Sequence, residues 1–421
     1  MKRVGLKNSS MTKQPSSRLT SIDFLRGSAA LAVVLHHAVN YREDLPSQAS
    51  WFRLFYLIVD QGHLGVPLFF VISGFCIHLR WAKQYAQTNK ETLDFTNFWK
   101  RRLHRLYPPY LVALCLTMTI VVVLYAVGEH LPIVDLYPEP RPRWMLIDFF
   151  AHLLMLHGLH PVLDRGGGNG VYWTLAREEY FYIMYFGLLA MRRRLGPISS
   201  LFSVLVLGVA FRFLMSPLFS SDSGWLTVIN TSAIVLWIQW CLGMLAVEAH
   251  YGLVKLPRWC YAGWLIPLWI AAAILSARYS VLVLLTPCLW GMTFFTVLNY
   301  CVRLEVTGYW PTHWLIRWLS RVGIFSYSLY LIHNPVRGIM KQFLGPLAAS
   351  NNLIIFFFNF VVLSVAGYFG GKLFFYLVES RFLNTRPASS LQPRFSRLNQ
   401  LKRWMIRMNP GLVAFLKRQG G

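Results

Sequence analysis

The chain has 421 residues, of which 55% are hydrophobic and 14% are charged, and its formal net charge is +24. Soluble domains rarely combine so large an apolar fraction with so few charges, so the composition indicates a multi-pass membrane protein. The excess of Lys and Arg does not indicate a nucleic-acid partner, because these residues occur in blocks between apolar segments. The six cysteines occur singly, without the spacing of a metal site or a disulfide framework, so no metal is expected.

Apolar segments that could span a membrane recur along the whole chain, since a spanning helix needs about 20 mostly apolar residues. The candidates are residues 22–40, 64–79, 106–127, 171–190, 197–217, 227–248, 260–277, 281–300, 322–340 and 353–378. The stretch 146–157 has only 12 residues and contains Asp148, so it predicts a re-entrant or interfacial helix. The predicted fold class is therefore all-α, a polytopic membrane bundle of about ten transmembrane helices.

The distribution of basic residues predicts the orientation of this bundle. With ten spans and a cytoplasmic N-terminus, most Lys and Arg fall in segments on the cytoplasmic side, as the positive-inside rule requires. An eleventh span at 146–157 would place the basic C-terminal tail outside. The chain then divides into a cytoplasmic N-terminal segment (1–20), a transmembrane domain (21–385) and a basic cytoplasmic tail (386–421). The tail is expected either to lie on anionic lipid as an amphipathic helix or to be solvated.

The first predicted span carries charged and titratable groups at membrane depth. A helix rises about 1.5 Å and turns about 100° per residue, so Arg26 and His37 lie roughly 16 Å apart along the axis and about 20° apart around it. Asp23 belongs to the same face, whereas His36 is rotated away by about 100°. A charge at this depth costs at least ~2.5–3.5 kcal/mol. The pattern predicts one cavity with a cation near the inner surface and an imidazole deeper, or a polar network that only holds helices together.

The second span and the segment after it contain small and basic residues. Gly74 allows close contact between helices. Arg102 and Arg105 lie three residues apart on one helical face at the predicted inner surface. They are suited to binding phosphate groups from the cytoplasm, although an ordinary positive-inside cluster explains them equally well.

The later spans add further polar groups. Glu178 lies near the outer end of the fourth span, where Trp173 is a plausible interfacial aromatic residue. The ninth span contains Ser326, Tyr330 and His333, and Pro335 is predicted to break its helix. A structural role for His333 is favoured over direct chemistry. The remaining polar residues predicted to lie at the membrane interface are Asp60, His63, His104, His152 and His157.

Five stretches taken together resemble the membrane acyltransferase-3 family, which O-acylates sugars and other cell-surface acceptors. They are DFLRGSAALAVVLHH (23–37), GVPLFFVISGF (65–75), RRLHRLYPPY (101–110), WTLAREEYFY (173–182) and FSYSLYLIHNPV (325–336). The segment FFYLVESRFL (374–383) also resembles the end of that family's last span, with Glu379 at its usual acidic position. The resemblance covers residues 20–385, and the order and spacing of the stretches make it specific. Pro67 departs from the family, in which many members have an acid at this position.

The resemblance implies an O-acyltransferase that takes its acyl group from cytoplasmic acyl-CoA, with no permanently bound cofactor. Arg26, Arg102 and Arg105 would bind acyl-CoA, and His37 would act as a general base or form an acyl-histidine. Glu178 would be the carboxylate partner of His37 or an acceptor-binding group. The remaining residues expected to bind substrate are Asp23, Trp173, Ser326, Tyr330 and His333.

The family also implies the substrates and the location of the enzyme. Acetyl is the expected acyl group, with succinyl and longer groups left open. The acceptor would be a glycan or glycolipid, such as lipopolysaccharide O-antigen or an exopolysaccharide. The enzyme would contact membrane lipids in the cell inner membrane or plasma membrane.

Two other functional classes also place polar groups in the membrane. A secondary transporter or flippase would be favoured by discontinuous helices in an internal repeat, and the sequence has no convincing repeat. A polysaccharide polymerase would be expected to have a longer outer loop than residues 128–170.

Overall fold

The computed structural model describes residues 19–39, 50–90, 93–127, 142–163, 167–220, 223–345, 347 and 352–383. Their regular secondary structure is helical, and none of these residues lies in a β-strand. Most of the predicted cytoplasmic N-terminal segment and the predicted tail 386–421 lie outside the described residues. The α-helical architecture predicted from the composition is confirmed.

Fourteen α-helices occur within the described ranges. They are α1 (Thr20–Ala38), α2 (Ser50–Asp60), α3 (Gly65–Thr88), α4 (Phe95–Val127), α5 (Pro142–Leu153), α6 (Trp173–Leu195), α7 (Pro197–Met215), α8 (Trp225–Asn230), α9 (Ala233–His250), α10 (Ile266–Ser276), α11 (Thr286–Val306), α12 (Trp314–Ile324), α13 (Ser326–Leu344) and α14 (Leu353–Leu377).

Six helical stretches within the described ranges are long and apolar enough to cross a membrane. They are Ser50–Thr88, Phe95–Ala126, Pro197–Leu218, Trp225–His250, Leu282–Val306 and Leu353–Arg381. Helices also cover the other predicted spans, but α10 is short, and α1, α6 and α13 carry the charged and imidazole groups that lower their hydropathy. A multi-pass membrane protein is thus established, whereas ten spans and cytoplasmic termini stay predictions.

Several helix boundaries differ from those predicted. The predicted ninth span is two helices, α12 and α13, which meet at Phe325. Pro335 does not break α13, which continues through it to Leu344. The short helix predicted at 146–157 is present as α5, which ends at Leu153. Tertiary packing therefore overrides the local effect of proline in α13.

Glycines allow two pairs of helices to touch through their backbones. A Cβ atom added to Gly74 of α3 would lie 1.9 Å from the carbonyl oxygen of Trp240 in α9, and one added to Gly243 would lie 1.9 Å from that of Val71. The same holds for Gly27 in α1, whose added Cβ would lie 1.9 Å from the Leu319 oxygen of α12. Small residues at such contacts are typical of membrane helices, and the close contact predicted for Gly74 is confirmed.

A buried ion network joins α3, α6 and α9. Glu248 is fully buried, and its Oε1 atom lies 2.9 Å from His78 Nε2. Arg192 donates to both carboxylate oxygens, from Nε at 2.5 Å and from Nη2 at 2.9 Å. The hydroxyl of Tyr185 lies 2.8 Å from His78 Nδ1. Because each charge has a partner of opposite sign or a hydrogen bond, the network is compatible with burial.

A second buried polar cluster positions the start of α6. The imidazoles of His152 and His157 stack with ring centroids 3.9 Å apart, and both side chains are fully buried. Asp148 Oδ2 accepts a hydrogen bond from Gly167 N at 2.7 Å, and His157 Nε2 donates to the Tyr172 carbonyl oxygen at 3.0 Å. His152 and His157 are therefore buried core residues, and their location at the membrane interface stays a prediction.

Candidate active site

A cavity of about 290 Å³, here called the arginine cavity, lies between α1, α3, α4, α6 and α13. Its charged lining residues are Arg26, Arg102, Arg105, Glu178 and Glu379. The three cations come from α1 and α4, as predicted. Within the described residues, Arg102 Nε is buried without a hydrogen-bond partner, which leaves an unsatisfied guanidinium donor beside the cavity. A pocket with three guanidinium groups is suited to binding an anion with several phosphate oxygens.

Glu379 is a member of this cavity to which the sequence patterns assigned no role. Its Oε2 atom accepts hydrogen bonds from Ser328 N at 3.0 Å and from Ser328 Oγ at 2.5 Å. The carboxylate thus satisfies a backbone N–H in the first turn of α13, where an anion is favoured by the free N–H groups and the helix dipole. The acid following α14 therefore holds α13 beside the arginines.

A second cavity, here called the histidine cavity, has a volume of about 310 Å³. Its polar and aromatic lining residues include His36, His37, His63, Trp173 and Gln239. It also contains Pro67, the position at which this sequence departs from the family pattern. His37 and Trp173, which were predicted to act in catalysis and substrate binding, thus border the same space.

The imidazoles around this cavity form a row of four. Ring centroids lie 5.4 Å apart between His63 and His36, 5.0 Å between His36 and His37, and 5.1 Å between His37 and His333. His36 Nδ1 also lies 3.4 Å from Asp60 Oδ1. The helical repeat of α1 placed His36 on a different face from His37, but α2 and the turn after it bring Asp60 and His63 beside it. His63 therefore lines this cavity, and Asp60 contacts one of its histidines without lining it.

Neighbouring groups determine which nitrogen of His37 carries a proton. His37 Nδ1 lies 2.9 Å from the carbonyl oxygen of Val33 in the preceding helical turn. A carbonyl oxygen can only accept, so Nδ1 carries the proton and donates it. In the neutral ring Nε2 then holds the lone pair, which is what a base or nucleophile requires.

Three residues, here called the partition, line both cavities. They are Val66 and Phe70 of α3 and Tyr330 of α13. The Tyr330 hydroxyl donates to the Val171 carbonyl oxygen at 3.1 Å and lies 2.8 Å from Thr174 Oγ1. The single passage expected from the face of α1 is thus divided into an arginine cavity and a histidine cavity.

The other predicted site residues fall on both sides of the partition or outside the two cavities. Glu178 and Ser326 line the arginine cavity, so Glu178 is not placed beside His37. His333 is 2% exposed and lies against His37 without lining either cavity. Asp23 also lines neither cavity, and its backbone packs against Gly323 of α12.

These features define the class of protein: a multi-pass membrane protein that encloses a cationic cavity and an adjoining imidazole cavity. The chain belongs to the acyltransferase-3 family, whose family model, described as an acyltransferase domain, matches residues 19–370. This match confirms the resemblance carried by the five sequence stretches.

Individual relatives match a smaller part of the chain. The O-acetyltransferase OatA of Staphylococcus aureus strain COL is 33% identical over 171 residues, which is 40% of this chain and 24% of the relative. The peptidoglycan O-acetyltransferase OatA of Listeria monocytogenes is 29% identical over 181 residues, 41% of this chain and 24% of the relative. Protein 2 in the picA locus of Rhizobium radiobacter is 34% identical over 146 residues, 35% of this chain and 68% of the relative.

The matched region thus covers about a quarter of the length of the two OatA relatives. A comparison with solved structures finds no match.

Proposed function

We propose that this protein is a membrane O-acyltransferase. It transfers an acyl group, expected to be acetyl, from cytoplasmic acyl-CoA to a hydroxyl group of a cell-surface or exported glycan. The observation that carries the proposal is the pairing of a cavity containing three arginines with a cavity containing His37 across the partition of Val66, Phe70 and Tyr330. The names of the OatA relatives support acetyl transfer, and the peptidoglycan acceptor of the Listeria relative supports a glycan.

The arginine cavity is the proposed donor site. Arg26, Arg102 and Arg105 would bind the phosphate groups of acyl-CoA through charge-assisted hydrogen bonds. Ser326 and Glu178 line the same cavity, so we assign both to the path of the pantetheine arm. With cytoplasmic termini, the Thr20 end of α1 and this cavity would face the cytoplasm. The thioester would then reach His37 when the side chains of the partition move aside.

The histidine cavity is the proposed acceptor site. Trp173 presents an aromatic ring on which the apolar face of a sugar can pack, and Gln239 is a polar group of the same lining. Pro67 also lines this cavity, so this chain would bind its acceptor without the acid that the family resemblance implies at that position. A glycolipid or another exported glycan fits the proposal equally well.

The proposed reaction uses neutral His37, which carries its proton on Nδ1 and its lone pair on Nε2. The acceptor hydroxyl oxygen attacks the carbonyl carbon of the thioester while its proton passes to His37 Nε2. The carbon–sulfur bond then breaks, and the proton passes from Nε2 to the departing thiolate, which gives the acyl ester and free CoA. In the alternative route Nε2 itself attacks the thioester carbonyl carbon and expels the CoA thiolate. The hydroxyl oxygen then attacks the acyl-histidine, which frees Nε2 and gives the acyl ester, while the hydroxyl proton passes to the thiolate. A general base at this position is typically worth about 10²–10⁴-fold in rate.

The test measures acetyl transfer by the purified full-length chain in lipid nanodiscs. Radiolabelled acetyl-CoA and a surface-glycan preparation are supplied, and ester formation and CoA thiol release are measured together. His37→Ala should reduce both by about 10²-fold or more. His104→Ala, which changes an exposed histidine of α4, is the control and should retain activity.

Two results would contradict the proposal. If His37→Ala kept more than about a tenth of the wild-type rate, His37 would not be the base. Movement of a solute across the membrane without thiol release would favour the transporter class instead.

A further inference from the structure

We infer that His333 is a positioning residue for His37: its lone pair faces the Nδ1–H group of His37 and orients that ring as a base. This inference rests on the proposed function, because it assigns the base role to His37. The contact joins α1 and α13 across 296 positions of the chain.

The protonation of His333 follows from its own backbone contacts. Its Nδ1 atom lies 3.0 Å from the Leu329 carbonyl oxygen and 2.9 Å from the Tyr330 carbonyl oxygen. Both oxygens can only accept, so Nδ1 must carry a proton. The side chain is buried, and in the neutral ring the remaining nitrogen, Nε2, holds a lone pair.

That lone pair is directed at His37. His333 Nε2 lies 3.4 Å from His37 Nδ1, and the two rings are inclined at 62°. The Nδ1–H group of His37 therefore faces two acceptors, the Val33 oxygen at 2.9 Å and the His333 nitrogen. The other tautomer of His37 would bring its own Nδ1 lone pair against both acceptors, an unfavourable contact between lone pairs. An acceptor on α1 itself and an acceptor on α13 thus both select the tautomer of His37 in which Nε2 is the base.

The same contact acts during acyl transfer. When His37 Nε2 takes the hydroxyl proton, the ring becomes an imidazolium whose positive charge is shared with Nδ1–H. The lone pair of His333 then stabilises that charge, which is the part played by a buried carboxylate in a Ser-His-Asp triad. His333 is neutral, so a loss of about tenfold in kcat is expected on its removal, the size of one net hydrogen bond. Because His333 lines neither cavity, the KM for acyl-CoA should not change.

The test combines a spectroscopic signature with kinetics on the full-length chain in lipid nanodiscs. Ring-¹⁵N-labelled histidine gives the tautomer of each imidazole, and the signals of His37 are assigned by their loss in His37→Ala. The wild type should show His37 protonated at Nδ1 with a lone pair at Nε2. His333→Leu should shift the His37 nitrogen signals and lower kcat about tenfold at unchanged KM for acetyl-CoA. His333→Gln supplies an amide oxygen as acceptor and should recover most of both properties.

The outcomes separate this inference from the proposed function. Unchanged His37 nitrogen signals and unchanged kcat in His333→Leu would overturn the positioning role, while loss of activity in His37→Ala would still support the base. If His333→Leu does not accumulate in the membrane, His333→Phe, which keeps an aromatic ring but supplies no acceptor, takes its place. A kcat about tenfold lower in His333→Phe than in His333→Gln supports the inference, and equal kcat values contradict it. Activity in His37→Ala would remove the base role, and the ¹⁵N signals would still report whether the two rings interact.

Discussion

Replacing Arg192 with methionine tests the buried ion network that joins α3, α6 and α9. Arg192 makes two hydrogen bonds to Glu248, and its guanidinium lies 4.5 Å from the centre of the Trp81 ring. Methionine keeps an unbranched side chain that can pack against this ring. The substitution removes the positive charge, so the fully buried Glu248 carboxylate keeps only His78 as its partner in the network.

The size of the effect follows from this loss of charge pairing. Removing one partner of a buried ion pair costs about 3–5 kcal/mol, because the other charge is left uncompensated. An unfolding entropy of about 2.1 cal/mol/K per residue gives about 0.8 kcal/mol/K for the compact unit Met1–Arg381. The expected decrease in Tm is therefore about 4–6 °C.

The assay follows thermal unfolding by tryptophan fluorescence of the protein in nanodiscs. Arg193→Met is the matched control, because Arg193 is the next residue of α6 and is exposed. Combining Arg192→Met with Glu248→Gln should recover part of the lost stability, since the carboxylate charge is removed as well. A Tm for Arg192→Met within about 1 °C of that of Arg193→Met would refute the buried pair, since the shift expected from that pair is several times larger.

The remaining predictions concern packing and the two cavities. Gly243→Ala should strongly destabilise the protein, because its Cβ would meet a backbone carbonyl of α3, whereas Gly187→Ala has open space and should be neutral or slightly stabilising in the same thermal assay. Tyr330→Ala opens the partition and should raise the hydrolysis of acetyl-CoA in the absence of acceptor; a rate equal to wild type would show that the partition does not protect the thioester. Arg105→Ala should raise the KM for acetyl-CoA by about tenfold or more, while exposed Lys100→Ala should not; equal KM values would remove Arg105 from the donor site.

Local sequence information was sufficient to predict the helical class. It was also sufficient to predict which residues of a single helix share the face that lines a cavity. The apolar runs predict membrane helices because each backbone polar group must be satisfied within its own segment in lipid. The spacing in α1 predicts a polar face, and Arg102 and Arg105 of α4 do line the cavity that contains Arg26. In these cases the periodicity of one helix contains the required information.

The relation between the cavities depended on the tertiary structure, because their walls come from helices distant in sequence. The partition takes Val66 and Phe70 from α3 and Tyr330 from α13, so no single periodicity could predict that it divides the expected passage. Glu178 was expected beside His37 from its depth along α6, but the orientation of α6 places it in the arginine cavity. Depth along a helix is a property of the sequence, whereas the direction that a face points is set by packing.

The contacts that determine the chemistry of His37 are likewise of two kinds, one within α1 and the other between separate helices. Val33 lies one helical turn before His37, so the Nδ1 hydrogen bond to its carbonyl is local to α1. The facing lone pair comes from His333 of α13, and Asp60 reaches His36 from α2. The sequence alone determined that an imidazole lies on the polar face of α1. Only the packing of α13 and α2 against α1 decided which groups surround it, because side chains of separate helices meet through the fold and not through any local repeat.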